Sequence, residues 1–180
     1  MIKKKINKIL RDALTHFVAL ILACTLGYFI SNGLFGLIGS LISGGNQLVF
    51  RLFYSIPYLI IVVLVLFFVA FAKEKKREEF AAHEIVISTM LACIVQIIVA
   101  LTVVFAIYTI GPALPIAHII FAGEDINLKF PDTDVPKHLY LICMGVLDLI
   151  YIVSTTAGGY FGQKKRRKDR ETLYNNTHTV

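Results

Sequence analysis

The chain is built from long apolar blocks separated by short stretches that are charged or marked by glycine and proline. A soluble helix carries apolar residues on one face only and does not produce blocks of this kind. About 20 consecutive apolar residues suffice for a helix to cross the hydrocarbon of a bilayer. Spans are expected at about 14–32, 52–72, 84–110 and 139–162, with a basic tail at 163–180. The pattern predicts an all-α, polytopic integral membrane protein: a four-transmembrane-helix bundle forming one membrane domain over residues 1–180.

The first block follows a lysine-rich start and outwardly resembles a secretory signal. Its apolar run is long and lacks an Ala-x-Ala-like cleavage site, so an uncleaved span is expected. His16, Ala19, Ala23, Gly27 and Ser31 recur along it at helical spacing, and Ala23 and Gly27 are candidate helix-packing positions. Residues 31–50 carry Gly33, Gly36, Gly39, Gly44 and Gly45. The expectation there is the outer end of the first span followed by an interfacial or partly buried connector, with a re-entrant loop as the alternative. The second span is bulky, β-branched and aromatic, without a small or polar stripe, and is expected to be peripheral and lipid-facing. Arg51 at its outer edge most simply snorkels to the interface.

KEKKREEF, residues 73–80, reads as a short solvated turn that sets two helices antiparallel. In the third block Thr89, Ala92, Cys93, Gln96 and Ala100 share a face, and the Gln96 amide is expected to hydrogen-bond to a neighbouring helix. GPALP at 111–115 ends that helix. Residues 124–138 form the only extended polar stretch between spans. Asp132 and Asp134 alternate there as in some calcium loops, but the glycine and distal glutamate of such loops are missing, and an ordinary solvated loop is expected.

Composition agrees: 57% of residues are hydrophobic and 17% charged, and the mean hydropathy is +0.72, against roughly 25% charged in soluble domains. The net charge of +6 does not point to nucleic acid, because every basic cluster flanks a span: Lys3–Arg11, Lys73–Arg77 and Lys164–Arg170. Such clusters suit cytoplasmic loops and anionic lipid headgroups, which puts both termini inside and suits a bacterial inner or plasma membrane. Cys24, Cys93 and Cys143 lie in different blocks without CxxC spacing or a Cys/His cluster, so neither a disulfide framework nor a metal site is indicated. Asn175-Asn176-Thr177 matches a glycosylation pattern but falls in the expected cytoplasmic tail, as a chance match would.

Candidate chemistry is sparse. No serine–histidine–acid set, HExxH helix, P-loop or paired carboxylates are present, and no enzyme or cofactor is expected. His16, His83 and His138 fall at span ends, where interfacial anchoring accounts for them, and His118 lies in the outer connector without visible ligand neighbours. Asp148 is the acidic residue that stands inside an apolar run. On the fourth helix it shares a stripe with Leu141, Met144, Tyr151, Thr155, Gly159 and Gly162, while Gly158 and Gly162 form a small-xxx-small pair. The candidate intramembrane polar site is therefore Asp148, Gln96, Tyr151 and Thr155, with Arg51 as a candidate outer-interface partner. Asp148 reads in three ways: as a structural acid, as a proton or cation site, or as the mate of a basic residue on a partner. The corresponding expectation is a non-catalytic membrane subunit or accessory protein that associates by helix–helix packing, with another membrane protein or with itself. The alternative is an oligomeric ion or small-solute transporter or channel built around Asp148.

Overall fold

The computed structural model describes residues 2–76, 82–102 and 137–178, and all regular structure among them is helical. The elements are α1 (Ile2–Ile30), a π-helical turn (Ser31–Phe35), α2 (Gly36–Ile42), α3 (Gln47–Lys75), α4 (Ala82–Thr102) and α5 (Lys137–His178). Three helical stretches are long and apolar enough to cross a membrane: Ile6–Ile42, Leu48–Lys75 and Ile142–Tyr174. The apolar stretch of α4, Ala82–Ile98, is shorter. The rest of the expected third span, 103–110, lies outside the described residues, as do GPALP, His118 and the Asp132/Asp134 loop.

The glycine-rich stretch after the first block departs from expectation. It is helical as far as Ile42, so the first helix is longer than expected: α1 runs through the π turn into α2. In hydrocarbon a backbone has no water to bond to, so it keeps its internal hydrogen bonds even where glycine would weaken a helix in water. Gly39 also serves packing, since a Cβ there would stand 3.0 Å from the Phe53 Cβ of α3. The chain reverses at Gly44 and Gly45, whose φ angles of 55° and 91° lie in the left-handed region. Asn46 then caps α3, its Oδ1 accepting from the amides of Leu48 and Val49 at 3.0 and 3.3 Å. The basic tail is likewise helical, because α5 continues without a break to His178.

The register of the bundle follows from its contacts. Ser154 on α5 donates to the Val63 carbonyl on α3 across a separation of 91 positions, and Gly158 and Gly162 face Phe67 and Phe71 at the same offset. α3 and α5 therefore run parallel. Lys73 meets Asp12 and His16 while Tyr58 and Val62 meet Gly27, so α1 runs antiparallel to α3. Thr89 bonds to Thr155 and Cys93 neighbours Asp148, so α4 runs antiparallel to α5. Each of α1, α3, α5 and α4 packs against the next in that ring. The start of α1, the end of α3, the start of α4 and the end of α5 thus meet at one end of the bundle, together with the basic clusters near them.

α3 is not peripheral. Its interface with α5 is the most extensive among the described residues, and Tyr54, Tyr58, Val62, Leu66 and Ala70 form a buried stripe along it. Ile60, Leu64 and Phe68 on the opposite face are exposed. Both faces are apolar because lipid tails and a membrane-protein interior select the same side chains, which leaves no sequence contrast between them. Close approach to α5 is possible because Gly158 and Gly162 lie directly over α3 backbone: a Cβ at either position would fall on the Phe67 or Phe71 carbonyl oxygen.

Candidate functional site

Two polar groupings interrupt the apolar interior, and the register places them at different depths. The first is built around Tyr151 and Thr155, two of the four residues singled out as the intramembrane site. Tyr151 and Thr155 of α5 are fully buried. The Thr155 hydroxyl donates to the Tyr151 carbonyl at 2.8 Å, which leaves it to accept from Thr89 at 3.1 Å. The Tyr151 hydroxyl bonds with the Cys24 sulfur at 3.3 Å, tying α1 to α5 across the bundle, and Tyr58 also stands beside that thiol. Around these groups Leu20, Ala23, Val62, Leu66 and Leu147 close the centre. Tyr151 and Thr155 thus spend their hydrogen bonds on neighbouring helices.

Asp148 and Gln96 are placed differently. Both are half-buried, on α5 and α4 respectively. The Cys93 thiol stands beside the Asp148 carboxyl, but a thiol is a weak donor. Asp148 Oδ1 and Gln96 Oε1 are each buried with no hydrogen-bond partner among the described residues. Arg51 does not share their level. At the constant α3–α5 offset, Asp148 lies level with Pro57, about six residues or roughly 9 Å along the axis from Arg51.

The helix-packing positions are likewise located: Ala23, Gly158 and Gly162 are buried, and a Cβ on Gly27 would stand 3.1 Å from the Tyr58 ring and Val62.

The second grouping lies at the basic end, and sequence reasoning did not assemble it. Asp12, His16, Glu74, Glu84 and Gln163, drawn from all four long helices, are buried there. Lys8 pairs with Glu84 at 2.7 Å. The Lys73 ammonium stands 3.1 Å from Asp12 Oδ1 and 3.3 Å from His16 Nε2. Gln163 donates to the Glu74 carbonyl. An ammonium can only donate, so a hydrogen bond between the two uses a lone pair on His16 Nε2. His16 is therefore part of an ion-pair network and not an interfacial anchor, whereas His83 is exposed. Lys73 and Glu74 are the last helical turn of α3 and not part of a solvated loop. Nor is Asp148 alone among acids in lacking water: Asp12, Glu74 and Glu84 are more deeply buried than it is. The available signals were the Asp12/His16 spacing of one helical turn and the acid in the first turn of α4, both of which also fit an ordinary span end. Outside this network, Lys75 and Lys165 pair with Asp169 on the surface, where such pairs contribute little.

Among the described residues no group of three or more histidine, cysteine, aspartate and glutamate side chains is placed to hold a metal ion. Comparison of the chain with protein-family models, with curated proteins and with solved structures gives no match.

Proposed function

We propose that this chain is a four-span protein of a bacterial inner or plasma membrane, with both termini cytoplasmic, and that it serves as a non-catalytic subunit or accessory protein that holds a partner through helix–helix packing. The observation that supports this reading is the filled centre of the bundle. Tyr58, Val62, Leu66, Leu147 and Tyr151 are buried there and interlocked, so the described part of one chain offers a packed core and not a conduit. The orientation rests on the gathering of the basic clusters at one end. Native mass spectrometry of the protein extracted with its lipids tests the reading: a stoichiometric foreign protein is the expected result, and a homo-oligomer without one counts against it.

A second reading, an ion or solute pathway assembled between copies around Asp148, is favoured by the unmatched oxygens of Asp148 and Gln96. It predicts flux through the purified protein in liposomes that Asp148→Asn abolishes while the oligomer persists. The subunit reading predicts no such flux, with or without the substitution.

A further inference from the structure

We propose that the stretch from the π turn to Pro57, residues 31–57, is a hinged hairpin that bends at these two points and beds its apolar surface in the leaflet away from the basic clusters. The inference goes beyond the subunit reading and does not depend on it.

Two breaks in regular helix face each other. In the π turn the Gly36 amide bonds to the Ser31 carbonyl, a wider winding that recurs where helices bend. On α3, Pro57 stands inside the helix and removes the amide that would bond to the Phe53 carbonyl. Gly27, before the π turn, lies against Tyr58 and Val62, and Gly39, after it, lies against Phe53. The π turn therefore meets α3 between Phe53 and Tyr58, at Pro57.

Packing changes at the same level. The buried core takes Ala19, Leu20 and Ala23 from α1 and Tyr58, Val62 and Leu66 from α3, all on the basic-end side of the two breaks. Beyond them, among the described residues from 31 to 53, no large apolar side chain is buried. α2 buries only Gly36 and Gly39, while Leu34, Leu37, Leu41, Ile42, Leu48 and Phe50 are exposed. α2 packs against α3, and the π turn against α1 and α3. Neither shares an extensive interface with α4 or α5 among the described residues. Movement of the hairpin as one body thus disturbs few buried contacts.

Length decides where the hairpin goes. The stretch Ile6–Ile42 has 37 residues, about 55 Å as a helix, against hydrocarbon about 30 Å thick. Counted from the Asp12–Lys73 ion pair, the roughly 20 residues that cross hydrocarbon end at the π turn on α1 and at Phe53 on α3. A straight continuation would carry Leu41 about 13 Å further, past the headgroups and into water. Leucine, isoleucine and phenylalanine are costly there. The hairpin holds no acidic residue and one basic one, Arg51, whose charge can snorkel to the headgroups. Acyl chains are the occupant that this surface fits.

The chain contains no tryptophan, so Leu41→Trp, at a position 82% exposed, reports the depth of the hairpin by itself. The full-length protein is reconstituted in short-chain (dimyristoleoyl) and long-chain (dierucoyl) phosphatidylcholine vesicles containing lipid brominated on its acyl chains. Val153→Trp, exposed on α5 at the level of Val62, is the reference quenched in both. Leu41→Trp is expected to be quenched in both as well, because the hairpin bends further where the bilayer is thin. Adding Pro57→Ala restores the amide donor and stiffens α3, and quenching of Leu41→Trp is then expected to be lost in the thin bilayer and kept in the thick one. Thermal unfolding shows that each variant is folded. Leu41→Trp that emits as in water and escapes quenching in the thin bilayer overturns the proposal, and this reading stands even if Pro57→Ala does not fold. Quenching that Pro57→Ala leaves intact in the thin bilayer overturns the hinge, since the whole bundle then tilts or the bilayer thickens around it. A blue-shifted emission that bromine does not quench also overturns the proposal and assigns the hairpin a protein cover, a second copy or a partner. A partner found by native mass spectrometry alters none of these outcomes.

Discussion

Gly158→Ala is expected to cost the folded bundle about 1–3 kcal/mol, the range for forcing a methyl group into a packed interior. The new Cβ would fall on the Phe67 carbonyl, backbone and not a side-chain end that could swing away. Relief therefore requires α3 and α5 to move apart along their length, and the Ser154 to Val63 bond of 2.7 Å is stretched in doing so. Gly162→Ala should behave alike, because its Cβ would meet the Phe71 carbonyl in the same way. Gly145→Ala supplies the control on the same helix. Nothing stands within 4 Å of its Cβ, and replacing a helical glycine by alanine is worth up to about 1 kcal/mol in its favour. Unfolding of the detergent-solubilised protein by denaturing surfactant measures all three. Equal stability of the three variants would show that the glycine contacts do not set the α3–α5 distance.

The second large effect is expected at the other polar grouping. Lys73→Met should destabilise the protein by about 3–5 kcal/mol, as removal of one member of a buried ion pair does. Asp12, whose side chain is only 4% exposed, loses the ammonium 3.1 Å away, and His16 loses the donor to its Nε2. The double variant Lys73→Met, Asp12→Leu should recover most of the loss, since replacing both members by apolar groups is often near neutral. The interaction energy from this double-mutant cycle separates the pair from mere packing of the lysine stem. A double variant no better than the single one would show that Lys73 acts by its stem.

What the sequence disclosed was decided by contrast with the medium. Helices stood out because their blocks are long and uncharged, and Gly158/Gly162 because small residues are rare among Phe, Tyr and Ile. The environment of α3 was hidden, since Ile60 faces outward and Val62 inward with the same chemistry. Within the connector expected over 31–50 the helix continues to Ile42, and the chain reverses only at Gly44 and Gly45, the two glycines with positive φ. The ionic network was invisible for a different reason. Asp12 lies far from Lys73 in the chain and Lys8 far from Glu84, and each resembles ordinary flanking charge, so only the packing of α1 on α3 and on α4 brings them together. Asp148 and Gln96 stood out as polar residues within apolar runs. The neighbour of Asp148 on α4, Cys93, could be found only once the antiparallel packing of α4 on α5 was known.

The parallel pairing of α3 with α5 also bears on how the protein is made. Its most extensive interface joins helices separated by all of α4 and the segment that follows, so a ribosome that has finished α3 must translate on the order of 90 more residues before Gly162 emerges. At ordinary elongation speeds that is on the order of ten seconds. During this interval the α1–α3 hairpin can close on itself, while the Val63, Phe67 and Phe71 carbonyls wait beside lipid for glycines that do not yet exist. The nascent chain therefore passes through a half-assembled stage whose open flank is the one that α5 will later cover. A substitution that slows the arrival of α5 would lengthen exposure to membrane quality control without altering the finished molecule.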